Sequence, residues 1–174
     1  MKKCYLSLCL TIMVFTLGYG QDGPTRIGEL PLFQALNGEM AESGILIPKP
    51  DATPIQGGAK SVGQPAIAGL WYQIDGHAKY GPAEWLYRWM FVFTDTAALK
   101  VHARYIDTVG QKIDYEGFYD TENNRLQLVG PMRDGTARYQ LTLLEDGKVR
   151  IESIFFDADD NAVVTYTAEN APAE

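Results

Sequence analysis

The sequence predicts an all-β protein, an eight-stranded antiparallel up-and-down barrel preceded by an irregular N-terminal arm. Three observations carry this. From Gly69 onward, short runs of alternating apolar and polar residues follow one another closely. Turn-forming residues punctuate them: Thr94-Asp95, Val109-Gly110, Glu122-Asn123-Asn124, Asp134-Gly135, Asp146-Gly147 and Asp159-Asp160-Asn161. No segment after Gly69 has the apolar spacing of a long helix, so parallel strands joined by helical crossovers are excluded.

Residues 1–20 are expected to be a secretory signal peptide. Lys2 and Lys3 form a positive start, Cys4 to Leu17 is almost unbroken apolar sequence, and Gly18-Tyr19-Gly20 places small residues before a cut after Gly20. The apolar run is shorter than the roughly 20 residues that span a bilayer, so no stable membrane span is expected. Leu6-Ser7-Leu8-Cys9 loosely resembles a lipobox, but the apolar core lies mostly after the cysteine, on the wrong side for that processing. Cleavage removes two lysines and no acid, taking the net charge from −7 to −9, and it removes both cysteines, Cys4 and Cys9. An exported chain, periplasmic or secreted, would then have no disulfide and no thiolate chemistry.

Composition bounds the remainder. At 46% hydrophobic the chain is too apolar for a disordered protein. Its acidity and lack of a basic patch make nucleic acid an unsuitable partner.

Residues 21–68 form the arm. Pro24, Pro31, Pro48, Pro50, Pro54 and Pro65 alternate with glycines, which disfavours long helices and interior strands. A short helix is expected near 32–40, with Leu32, Phe33, Leu36 and Met40 on one face, although Gly38 interrupts it. Gly44 to Val62 reads as an extended linker.

Residues 69–168 are the expected barrel. Its strands are Leu70–Asp75, Glu84–Thr94, Ala98–Ile106, Ile113–Asp120, Arg125–Met132, Ala137–Leu144, Val149–Asp157 and Ala162–Ala168, with Asp75-Gly76 beginning the first turn. A meander of this kind hides its edge strands by closing on itself. Residues 169–174 are a tail.

Alternation then separates inside from outside. In the third, fourth, sixth and seventh strands, charged residues such as Lys100, Arg104, Glu116, Arg138 and Glu152 fall on even numbers. Val101, Tyr105, Tyr115, Tyr139 and Ile151 fall on odd ones, so odd positions are interior. The same parity puts Trp85, Tyr87, Trp89, Phe91 and Phe93 of the second strand inside, provided no bulge intervenes.

The first strand opens Gly69-Leu70-Trp71-Tyr72. A Gly-x-Trp at the head of an eight-stranded meander resembles the lipocalins and the wider calycin group of ligand-binding barrels. The resemblance implies a tryptophan that plugs the closed end, and Trp71 has interior parity. Lipocalins usually add a helix after the barrel, whereas only Glu169–Glu174 follow here, and no counterpart of their Thr-Asp-Tyr motif is found. The chain is more similar to short bacterial lipocalin-like barrels.

A barrel of this size is either filled by side chains or holds one small ligand. The interior aromatics Trp85, Trp89, Tyr105, Tyr115 and Tyr139 are the candidate ligand-binding residues. Tyrosine hydroxyls inside a barrel need partners or a wet mouth, because an unpaired one costs about 1–3 kcal/mol. The leading expectation is non-catalytic binding of a small, partly apolar molecule at the mouth, without a cofactor.

The outer face suggests an alternative. On the first, second, seventh and eighth strands the outward residues are apolar: Leu70, Tyr72, Ile74, Leu86, Met90, Val92, Ile154, Phe156, Val164 and Tyr166. Closure of an eight-stranded meander would make these one contiguous patch. Either the arm covers it with Leu30, Leu32, Phe33, Leu36, Ile45, Leu46 and Ile47, or Leu86, Met90, Val92, Phe156 and Tyr166 form an interface with another envelope protein or a second copy.

Catalytic and metal signals are weak. His77 and His102 are the only histidines and read as surface imidazoles. Ser43, Ser61 and Ser153 lie in no nucleophile elbow. Gly57-Gly58-Ala59-Lys60-Ser61 lacks the glycine of a phosphate loop, and Asp157-Ala158-Asp159-Asp160-Asn161 lacks the glycine and closing glutamate of a calcium loop. Asp114 and Glu116 are expected to pair with Arg104 and Arg125 across strands. Gln73, Asp75, Glu84 and tyrosines near the mouth are the only polar candidates for a barrel enzyme, too few to name a reaction.

Overall fold

The computed structural model describes residues 23–173, so the expected signal segment and its cleavage after Gly20 lie outside the described residues. Ten antiparallel strands form one closed barrel: β1 (Gly38–Ile47), β2 (Ile55–Ala66), β3 (Trp71–Tyr80), β4 (Ala83–Asp95), β5 (Lys100–Asp107), β6 (Lys112–Asp120), β7 (Arg125–Met132), β8 (Gly135–Leu143), β9 (Val149–Asp157) and β10 (Ala162–Pro172). Each pairs with its neighbours in sequence, and β1 closes the ring against β10. No helix among the described residues is long and apolar enough to cross a membrane.

All eight expected strands are present, but the barrel has ten, because the stretch expected to be a loose arm supplies β1 and β2. Its prolines do not break them: Pro48, Pro50 and Pro54 lie in the β1–β2 connection. The inward positions of these two strands include Gly44, Gly57, Ala59, Ser61 and Gly63 rather than a row of large apolar residues, so the usual strand signal is missing. The expected 32–40 helix shrinks to α1 (Pro31–Ala35), and Met40 joins β1. Pro31 occupies the first turn, where its missing N–H costs nothing, and Gly38 at φ +91° turns the chain out of the helical region.

A short 3₁₀ turn (Ile27–Glu29) and α1 close one end of the barrel. The Glu29 carboxylate accepts hydrogen bonds from the backbone N–H groups of Thr25 (2.9 Å) and Arg26 (3.1 Å), which fixes the turn. Ile27, Leu30, Leu32, Phe33 and Leu36 are all buried. Phe33 packs edge-on against Tyr72 at 5.0 Å and Phe91 at 5.1 Å. The plug is therefore Phe33 from the arm, not Trp71 of the Gly-x-Trp segment.

Trp71 lies on the outer face, and the register of β3 against β4 explains why. Tyr80 pairs with Ala83 across a two-residue turn, Gly81-Pro82, so facing residues of β3 and β4 have opposite parity. Tyr72, Ile74, Ala78 and Tyr80 point inward, contrary to the expected outward placement of Tyr72 and Ile74. In β10 a bulge between Ala162 and Val164 has the same effect: Ala162 faces Phe156, but Val164 faces Phe155. Val164 and Tyr166 consequently turn inward. In β4, β5, β6, β8 and β9 the odd positions are interior as expected, but in β7 the even ones are: Leu126 and Leu128 are buried, because inward Tyr119 of β6 faces Leu126 and Leu126 faces inward Leu141 of β8.

The contiguous outer patch does not form. β1 and β2 separate β10 from β3, and β4 and β9 stand on opposite walls of the ring. Leu86, Met90 and Val92 share the outer face of β4, with Leu86 56% exposed. Phe156 lies across the barrel under the Arg138 guanidinium, 4.3 Å from its ring centre. Tyr166 is inside. The arm covers no outer patch; it makes wall and floor.

Candidate functional site

Ten strands make a wider ring than eight, and small inward residues on β1 and β2 leave one side of it unfilled. The result is a cavity of about 350 Å³, running from Leu36 above the floor to Pro48, Val109 and Gln111 at the loop end. Trp85, Trp89, Tyr105, Tyr115 and Tyr139 all line it.

Trp89 is the hub of the aromatic wall. Its ring stacks on Tyr139 at 4.3 Å and lies 4.9 Å from Tyr105, 5.2 Å from Tyr115 and 5.5 Å from Phe91. Burial pushes the hydroxyls of Tyr87, Tyr105, Tyr115 and Tyr139 above the ordinary phenol range, so these groups remain neutral. Tyr105 donates to Asp107 Oδ2 at 3.0 Å. Asp107 Oδ1 accepts the backbone N–H groups of Val109 and Gln111 at 3.0 and 2.8 Å, so the mouth carboxylate is committed to its turn.

Glu42 is the deeper acid. It projects inward from β1, and two phenols donate to the same oxygen, Oε1: Tyr166 of β10 in a short hydrogen bond, and Tyr80 of β3 at 3.1 Å. The two hydroxyl oxygens are 3.3 Å apart. A side chain at Gly57 would collide with the Tyr80 ring, so the bare backbone of β2 is what lets that ring lie across to Glu42. Burial raises the Glu42 carboxyl above the ordinary carboxylate range, and the hydrogen bonds from Tyr166 and Tyr80 offset this only in part.

Asn170 completes this wall. It stands directly opposite Glu42 in the β1–β10 ladder, is 3% exposed, and its Oδ1 has no hydrogen-bond partner among the described residues. Ser153 of β9, also buried, borders the same space. No lysine, arginine or histidine is among the lining residues.

The polar candidates expected from the sequence lie elsewhere. Gln73 and Asp75 fall on the outer face of β3, where Asp75 pairs with Arg88 at 2.6 Å. Glu84 pairs with His77 at 2.6 Å, both half exposed, and His77 belongs to β3 rather than a loop. His102 also has carboxylate neighbours, Glu116 at 3.3 Å and Asp114 at 3.6 Å, but on the outside. Arg104 pairs with Asp114 at 2.6 Å as expected, whereas Arg125 takes Asp120 at 3.1 Å. Among the described residues no cluster suits a metal ion. Asp157 Oδ1 accepts the N–H groups of Asp159 and Asn161, which makes the acidic segment an ordinary hairpin turn.

Glu42, Tyr80, Tyr166 and Asn170 were not legible as site residues. Each sits on a strand that was unseen or whose parity was inverted. The one available signal was the alternation Met40-x-Glu42-x-Gly44-x-Leu46, which places an acid on a face otherwise apolar or small.

No protein-family description and no curated protein sequence matches the chain. Solved structures do. An S-type phycobiliprotein lyase from Guillardia theta superposes with a TM-score of 0.58 at 6% identity, over 82% of this chain and 90% of the other. The protein Rv2717c from M. tuberculosis superposes with a TM-score of 0.63 at 10% identity, over 83% and 98%. These similarities establish the fold, a calycin-like, lipocalin-like closed barrel, here of ten strands.

Proposed function

We propose that this chain is a binding protein for one small, mostly apolar, ring-bearing molecule taken up through the loop end of the barrel. The observation that carries the proposal is the cavity itself. Its volume falls in the ~300–1,000 Å³ range of ligand sites, and it is walled by aromatic rings with a few convergent polar groups. A barrel that served only as a scaffold would have little reason to leave this space beside Glu42 and Asn170. Trp85, Trp89, Tyr105, Tyr115 and Tyr139 would form the ligand-binding wall.

Native mass spectrometry of the purified protein tests this directly. A non-covalent adduct of small-molecule mass, weakened by Trp85→Ala, is the expected result. An adduct-free spectrum together with no quenching of tryptophan fluorescence by any of a panel of small ring compounds would overturn it. A protein-interface role for Leu86, Met90, Val92 and Phe156 has lost its contiguous patch and ranks below binding.

One observation favours a second reading, proton-transfer catalysis: a half-buried carboxyl faces two phenols inside the cavity. Solvent deuterium entering carbon positions of the co-purified molecule, and failing to do so with Glu42→Gln, would support it. The proposal extends to location: Lys2 to Gly20 would direct export, and an exported form, periplasmic or secreted, beginning at Gln21 is the expected product.

A further inference from the structure

The charge inventory of the cavity narrows the ligand class, taking the binding proposal as its premise. Two carboxylates line the space and no basic side chain does. Asp107 at the mouth is committed to Tyr105 and its own turn. Glu42 is different: both of its phenol donors bind Oε1, and no hydrogen bond from the described residues reaches Oε2. A half-buried carboxylate inside a largely apolar cavity, held only by neutral donors, lacks a counter-charge, a costly arrangement unless something supplies one.

Asn170 points to the same missing group independently. Residues directly opposite on antiparallel strands have Cβ atoms about 4.5–5.5 Å apart, so the Asn170 amide and the Glu42 carboxylate face the same small volume. Asn170 Oδ1 is buried and unpartnered, an acceptor awaiting a donor. What the site lacks is one group carrying several N–H bonds and a positive charge. Trp85, Tyr87 and Trp89 line the same cavity, and an aromatic lining favours a cation over an anion.

We infer that the barrel selects a small organic amine in its ammonium form, with Glu42 Oε2 and Asn170 Oδ1 accepting from the ammonium and the aromatic wall covering the apolar body. Carboxylate ligands such as fatty acids are selected against, since their charge would face Glu42 with no cation to receive it.

Three probes of one skeleton test this on the full chain: phenethylamine, phenethyl alcohol and hydrocinnamate, titrated by calorimetry and tryptophan fluorescence. The amine should bind at least about tenfold more tightly than the alcohol, with hydrocinnamate weakest. Glu42→Gln should bring the amine-to-alcohol ratio close to one. Asn170→Ala, which keeps the carboxylate, should lower that ratio several-fold and serves if Glu42→Gln does not fold. Equal or tighter binding of hydrocinnamate, or an amine preference that survives Glu42→Gln, overturns the inference while leaving the cavity a binding site. Binding of none of the three also overturns it, and only an adduct-free native mass spectrum in addition removes the binding proposal itself.

Discussion

Gly76 and Tyr87 face each other across β3 and β4, and the tyrosine ring occupies the space that a side chain at Gly76 would need. The glycine marks neither a turn nor a break. It lets an aromatic ring lie flat on the neighbouring strand while β3 runs on to Tyr80. Gly76→Ala should push the Tyr87 ring toward the cavity and cost about 1–3 kcal/mol, read as a lower urea midpoint with unchanged slope. In a Tyr87→Ala background the same substitution should cost much less, because the ring it strikes is gone. Equal costs in both backgrounds would show that backbone effects, and not the ring, dominate.

The same pair shows where the sequence was readable. Arg125–Met132 and Val149–Asp157 have the bounds expected of them, because Arg125-Leu126-Gln127-Leu128 and Val149-Arg150-Ile151-Glu152 open with strict alternation and turn residues such as Asn124, Asp134, Gly147 and Asp159 flank both strands. Asp75-Gly76 looked like a turn because a glycine after an aspartate carries the same letters in a hairpin as beneath a tyrosine ring. Parity then failed where local count decides it, at the two-residue turn after Tyr80 and the bulge after Ala162, and it also inverted on entering β7 and again on leaving it. The aromatic half of the site sits on β4, β5, β6 and β8, between those points, and was legible. Glu42, Tyr80, Tyr166 and Asn170 sit outside them. β1 and β2 were hidden because a cavity requires small inward residues, and small residues are what a loop also shows.

Trp89 and Trp85 separate packing from binding. Trp89 is buried among four aromatic rings, so Trp89→Ala should lose about 3 kcal/mol, the lower end for such truncations because part of its surface borders open cavity. Trp85, half-buried nearer the mouth, should cost roughly 1 kcal/mol or less on truncation yet weaken ligand uptake. Chemical denaturation of both variants beside a ligand titration checks the contrast. A large stability loss from Trp85→Ala would place it in the core instead.

Phe33 tests the floor. Being fully buried and edge-on to Tyr72 and Phe91, it should cost about 3–5 kcal/mol when replaced by Ala. Opening that end should also increase binding of a dye that reports exposed apolar surface, while the far-ultraviolet signature of the strands persists. If Phe33→Ala is as stable as the parent, the arm merely rests on the barrel and does not close it.

Glu42 gives stability a pH dependence of identifiable sign. Burial raises its carboxyl in the folded protein above the ordinary value of 4.5, against the donors Tyr80 and Tyr166 that lower it. The groups facing it are those two phenols, Asn170 and Ala59 opposite it in the sheet, and the nearby Tyr87, all uncharged through neutral pH. A group whose folded value is raised contributes its full stability below its unfolded value and loses it as pH climbs through the folded one. Asp75, Asp114, Asp120 and Asp157, held low by their hydrogen bonds, act in the opposite direction at more acid pH. Their effect is shared by parent and variant, so the difference between the two isolates Glu42. Glu42→Gln should therefore gain stability relative to the parent as pH rises from about 4.5 toward neutrality, and the gap should then level off. Urea midpoints for both proteins across that range measure it. A gap that stays flat, or that favours the parent at neutral pH, would mean that the two phenols stabilise the ionised carboxylate more than burial opposes it.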